Sequence, residues 1–232
     1  MAALLTIETS TPACSVALQV DGRLVSRYSE VPRSHTQLVM SMVDEVLIEA
    51  QIKIDQVDAI GVTVGPGSFT GLRIGFATVQ GLAFAADLPV VAISSLQAIV
   101  ATYRRIAEAE ADSILLPLID ARMDEFNCAV YQLQSEPEMR VLAPDQLLST
   151  EHMMALIDEY PSAILIGDAG ALSTAPILTE RGYQPIYPNA IDLMAIAERR
   201  FTEGIAQSIE AVDLVYLRGT EAWKKRTRLR DI

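Results

Sequence analysis

The chain has 232 residues, half of them hydrophobic and only 21% charged, which excludes a disordered polymer and leaves room for one large domain or two small ones. Its net charge of -12 excludes strong nucleic-acid binding by the body of the chain acting alone, because phosphate backbones would be repelled. Two well-separated cysteines, Cys14 and Cys128, and an N-terminus with no basic or long apolar region predict reduced core thiols in a cytoplasmic protein.

In chain order, three strands open the molecule at Leu4–Glu8, Cys14–Val20 and Arg23–Ser29, with Asp21-Gly22 as a hairpin signal between the last two. A helix is predicted from about His35 to Ala50, then a strand over Ala59–Val64 and a glycine-rich loop. A helix, a strand over Val90–Ile93 and another helix from about Ser95 follow. The stretch Ile74–Tyr103 carries a single charge, Asp87, yet Gln80, Pro89, Ser94, Ser95 and Gln97 interrupt it. A membrane span needs about 20 predominantly apolar residues, so a buried helix–strand–helix is predicted and no membrane contact.

The second half repeats the order. Strands are predicted over Ile114–Ile119, Glu125–Leu133 and Met139–Leu142, then a helix near Thr150–Glu159 and a strand over Ala163–Ile166. Helix Ala171–Arg181, strand Gln184–Tyr187 and helix Ile191–Thr202 complete the copy. The order β-β-β-α-β-α-β-α, read twice, predicts an α/β protein of two ribonuclease H-like lobes, the architecture of actin-like and sugar-kinase ATPases. The boundaries fall at 1–108 for the first lobe, 109–212 for the second, and 213–232 for a C-terminal segment. That segment carries a basic tail of Lys224, Lys225, Arg226, Arg228 and Arg230, which makes the remainder of the chain still more acidic.

Gly65-Pro66-Gly67-Ser68-Phe69-Thr70-Gly71 lacks the Gly-Lys-Ser/Thr of a phosphate-binding P-loop and the third glycine of a dinucleotide fingerprint. It reads as a turn that starts a helix, with Ser68 or Thr70 as the N-cap; an anion site at the helix N-terminus is the alternative. His35 and His152 are the only histidines, one in each half, and Val39 stands one helical turn beyond His35, so no paired-histidine zinc site is predicted. No Gly-x-Ser-x-Gly elbow is present. Glu8 and Asp120 end the first strands of the two halves, where an actin-like fold places phosphate hairpins. Glu8, Thr9, Ser10, Asp120, Gly167 and Gly170 are therefore the candidates for a degenerate nucleotide cleft, against the plainer reading of ordinary polar turns.

The segments "LLTIETSTPACSVAL", "RSHTQLVMSMVDEVL", "VTVGPGSFTGLRIGFATVQGLA", "LIDARMDEF" and "VYLRGTEAWKK" resemble, in this order, the bacterial TsaB family, formerly YeaZ. The resemblance implies an accessory subunit in making threonylcarbamoyladenosine, the modified base beside the anticodon of tRNAs that read codons starting with A. It implies partnership with the catalytic paralogue TsaD and the ATPase TsaE, a homodimer when alone, and tRNA contact only through the complex. No catalytic residue, metal or cofactor of its own is expected, with ATP or ADP only at the complex interface. Two departures bear on that role: TsaD holds its metal through a His-x-x-x-His pair where this chain has only His35, and Glu8 replaces the family's usual aspartate. The alternatives are a self-sufficient actin-like phosphotransferase and a glycoprotease-type peptidase.

Two first-lobe helices are more apolar than a helix on one sheet requires. The helix from His35 spreads its apolar residues over roughly 200°, where about 100° suffices. In the helix after the loop, Gly71/Gly75 and Ala77/Gly81/Ala85 recur at four-residue spacing, which permits close approach. Leu38, Val39, Met42, Val46, Leu72, Phe76 and Val79 are the expected partner interface.

Overall fold

The structure, a computed structural model, describes residues 2–31, 34–135 and 137–218. The basic tail from Lys224 to Arg230 lies outside the described residues. Strand β1 (Leu4–Glu8) pairs antiparallel with β2 (Cys14–Val20), and β2 with β3 (Arg23–Ser29) across the Asp21-Gly22 turn. Both turn residues have positive φ, 50° and 77°, the geometry a two-residue hairpin needs to match strand twist. Helix α1 (His35–Ala50) leads through a short 3-10 turn into β4 (Ala59–Gly65), then α2 (Phe69–Ala86), β5 (Val90–Ser94) and α3 (Ser95–Ile106).

The second half contains β6 (Ile114–Arg122), β7 (Glu125–Leu133), β8 (Met139–Ser149), α4 (Thr150–Glu159) and β9 (Ile164–Asp168). A 3-10 turn (Gly170–Thr174), α5 (Pro176–Thr179), β10 (Gln184–Pro185) and α6 (Ala190–Thr202) follow. The strand orders are β3-β2-β1-β4-β5 and β10-β9-β6-β7-β8, so each sheet has a three-strand meander extended by parallel crossovers. Read from β8, the second order is the first repeated. The fold is two ribonuclease H-like lobes of the actin-like kind.

Three elements differ from the sequence expectation. The helix expected over Ala171–Arg181 is a 3-10 turn and a four-residue helix. Pro176 is the cause: it has no N–H to donate, and it holds Ala175 extended at φ -66°, ψ 137°. The strand expected over Gln184–Tyr187 pairs only through Pro185, at a sheet edge where a missing donor is tolerated. Conversely, β8 runs past Leu142 to Ser149, because register shifts opposite Cys128 and Val130 absorb Pro144 on this edge strand.

Both sheets are covered on both faces. Alternation puts Leu5, Ile7, Val16, Leu18, Ile60 and Val62 on the outer face of the first sheet, under α1 and α2. Its inner face, with Leu4, Ala17, Ala59, Val91 and Ile93, is covered by α6, the last helix of the other half. Gly61 admits that approach, because a side chain there would press on Ala197 of α6 at 3.0 Å. Reciprocally, α3 lays Leu96, Ile99, Val100 and Tyr103 against Leu115, Ile119, Tyr131 and Ile166 of the second sheet. The two halves thus exchange their final helices. No helix among the described residues is long and apolar enough to cross a membrane.

Candidate functional site

The glycine loop wraps the turn that follows β1. Ser68 caps α2, its Oγ accepting from the Gly71 N–H at 3.2 Å, and the Ser68 N–H donates to the Ser10 carbonyl at 2.7 Å. A Cβ on Gly67 would collide with the Ser10 carbonyl oxygen, and one on Gly71 with that of Thr9. On Gly75 it would strike the Thr9 hydroxyl, which donates to the Gly71 carbonyl at 2.9 Å. The glycines let a helix start lie directly on a turn. Glu8, Thr9, Ser10 and Thr11 are all buried as a result. The turn that an actin-like fold would offer to a phosphate is sealed by the chain itself.

Glu8 is 0% exposed. Its Oε1 accepts from the Ser10 N–H at 2.5 Å and the Ser10 hydroxyl at 2.6 Å, while Oε2 has no partner. Burial pushes its carboxyl up from 4.5 to about 7, against the opposing pull of the Ser10 hydroxyl, the nearby Thr63 hydroxyl and the Ser10 N–H. His35, the first residue of α1, braces the same turn from the other side. Its Nε2 lies 2.9 Å from the Thr11 carbonyl and 3.0 Å from that of Ala13, so Nε2 carries the proton and donates. His152 sits at the exposed start of α4, with Nδ1 3.0 Å from the Ser149 hydroxyl. Cys14 and Cys128 are free and buried, and burial pushes both thiols up to about 12.

In the second lobe, Asp120 accepts from the Arg122 N–H at 2.7 Å and pairs with the Arg122 guanidinium at 3.1 Å. Gly170, at φ +54°, is packed so closely on Asp120 that a Cβ would overlap the carboxylate. Gly167 and Gly170 line a cleft of about 710 Å³ between the lobes, with Tyr28 and Glu30 on one wall and Asp168 and Tyr187 on the other. The Asp168 carboxyl is raised, chiefly by burial, with Asp120 adding to it. Two carboxylates, Glu30 and Asp168, line this cleft, and its one lining cation, Arg105, is engaged by Asp192, so the cleft disfavours a polyphosphate. The six cleft candidates therefore separate. Glu8, Thr9 and Ser10 are sealed inside the first lobe, Asp120 is tied up by Arg122, and Gly167 and Gly170 border an acidic cleft. Among the described residues no three His, Cys, Asp or Glu side chains cluster closely enough to hold a metal ion.

The expected interface residues require correction. Val39, Met42, Val46, Phe76 and Val79 are buried in the first core, Leu72 is buried beside Gly65, and Leu38 is half-buried. They face the sheet because α1 and α2 are the helices that cover its outer face. What remains exposed is the opposite flank. Met40, Ile74, Ala77, Thr78, Gly81 and Leu82 line an apolar groove of about 480 Å³ between the two helices, with the buried Val39 at its floor, and Phe84 of α2 is 79% exposed. The Ala77/Gly81/Ala85 spacing signalled this face in the sequence. A second exposed cluster had no signal: Arg73 stacks 3.7 Å over Phe69 and donates to the Tyr216 hydroxyl at 3.1 Å, 143 residues away.

A family model described as TsaD, tRNA N6-adenosine threonylcarbamoyltransferase, matches residues 29–181. The chain is 35% identical over 233 residues to the tRNA threonylcarbamoyladenosine biosynthesis protein TsaB of Escherichia coli (strain K12), covering 96% of this chain and 97% of that one. It is 33% identical over 232 residues to the protein of the same name from Haemophilus influenzae, covering 96% of each. The solved structure of YeaZ from Pseudomonas aeruginosa superimposes with a TM-score of 0.80 at 36% identity, over 94% of this chain and 100% of that chain.

Proposed function

Because the chain belongs to the TsaB family of tRNA threonylcarbamoyladenosine biosynthesis proteins, we propose that it is the non-catalytic subunit that binds and activates the transferase TsaD, together with the ATPase TsaE. The observation that carries this reading is the apolar groove between α1 and α2. Small residues at Ala77 and Gly81 let another helix come close, while Met40, Leu82 and Phe84 supply apolar area around them. TsaD is a paralogue, so its equivalent lobe offers a related helix pair, and a second copy of this chain offers the same one. Heterodimer and homodimer then compete for one face. The sealed turn at Glu8–Thr11 supports a scaffold role, since a phosphate could reach it only by displacing the glycine loop. In this reading ATP or ADP binds only at the complex interface, and tRNA is contacted only through the complex.

The test is co-purification with tagged TsaD, alongside light scattering of the isolated chain. Ala77→Glu and Met40→Glu place a charge in the groove without entering the core, and a charge buried without a partner costs several kcal/mol. Both variants are expected to keep their circular dichroism and melting profile and to lose both assemblies. Folded variants that still dimerise and still retain TsaD would place the interface elsewhere.

A further inference from the structure

After α6 the chain crosses back over both lobes. Gln207 bridges the free edge of β5 through paired hydrogen bonds with Val90, and Ile209 and Val212 are buried in the first core. Residues 213–218 then run without regular structure to the second lobe. The Val215 N–H donates to the Val64 carbonyl at 2.8 Å, at the end of β4, and Gly65 is required there because a Cβ would collide with the Val215 oxygen. The Tyr216 ring stands 5.5 Å from Phe69 and accepts from Arg73 at its hydroxyl. Arg218 then donates to the carbonyls of Ala121 at 3.1 Å and Arg122 at 2.9 Å, and pairs with Glu125.

The hairpin that Arg218 grips is strained. Arg122, Met123 and Asp124 take φ of 65°, 60° and 59°, and none is glycine. Such a turn persists only when its surroundings hold it, and among the described residues Arg218 is one of three holds from outside it. The others are Asp120 on the Arg122 N–H and Thr150 on the Asp124 carbonyl. We propose that residues 213–218 form a latch that couples the glycine loop of the first lobe to the 121–125 hairpin of the second, with Arg218 as the catch. Freeing its guanidinium lets the glycine loop and the hairpin move independently.

Hydrogen exchange followed residue by residue in the full chain tests this. The informative amide is that of Val215, which is bonded to the first lobe and lies outside the hairpin. In Arg218→Ala it should exchange roughly tenfold faster or more, together with the hairpin amides, while Val43 in α1 keeps its rate. A loosened hairpin with Val215 unchanged would make Arg218 a local brace and overturn the coupling, as would no change at either. Should Val43 accelerate equally, showing global loosening, Glu125→Gln decides, since it keeps the carbonyl contacts. A faster Val215 amide beside an unchanged Val43 then supports the latch, and an unchanged Val215 overturns it.

Discussion

At the scale of single residues, Glu8 and the glycines of α2 make opposite demands on the same turn. Glu8 binds its proton more tightly in the folded chain than in the unfolded one, so it stabilises the fold fully below about 4.5 and loses that contribution as pH rises through about 7. The shift corresponds to about 3 kcal/mol. Glu8→Gln removes the dependence, so its stability relative to the parent should rise by about that amount between pH 4 and pH 8 in denaturant titrations. A constant difference across that range would show Glu8 ionised in the fold. The glycines give a second contrast. Gly75→Ala drives a methyl into the Thr9 hydroxyl and should cost about 1–3 kcal/mol, offset in part by helix propensity. Gly81→Ala meets nothing within 4 Å and should stabilise by up to about 1 kcal/mol. Thermal melts of the pair check the sign of each.

Among elements, α1 and α2 show how one apolar helix serves two surfaces. Val39 and Met42 are 1% and 6% exposed, so Val39→Glu and Met42→Glu should unfold the first lobe and say nothing about assembly. Ala77→Glu, one helix face away, should melt within a few degrees of the parent. Circular dichroism separates the two classes, and a folded, stable Val39→Glu would contradict the packing of α1. Strand and helix positions were mostly legible, because period and turn chemistry are local properties. The elements misread were those beside prolines. Pro176 broke an expected helix, and Pro144 hid the second half of β8. In each case the outcome depended on whether a sheet edge or bulge was available to accommodate the ring.

For the whole molecule, the exchange of α3 and α6 decides how the chain folds. Residues 1–108 form a complete topological repeat, yet alone they would expose the α3 face at Leu96, Ile99 and Tyr103 and uncover Leu4, Ala59 and Ile93 on the sheet. Arg105 on α3 also pairs with the buried Asp192 on α6 at 2.5 Å, which ties the exchanged helices to each other. The fragment 1–108 should therefore aggregate or stay largely unfolded, while the full chain melts in one cooperative transition. Calorimetry and size-exclusion chromatography of both would check this. A monodisperse, folded fragment would show the lobes to be independent.

The duplicated strand–helix order, the hairpin at Asp21-Gly22, the absence of a P-loop and the family all followed from the amino-acid sequence by itself. Each rests on local period, on turn residues, or on motifs that survive as short strings. Which flank of α1 and α2 turns outward was decided only in three dimensions, because a helix apolar over most of its circumference has no single stripe to orient it. The purpose of the glycine loop was likewise a tertiary matter. Gly67, Gly71 and Gly75 are small for the sake of Thr9 and Ser10, residues some sixty positions earlier that only the folded sheet brings beneath them.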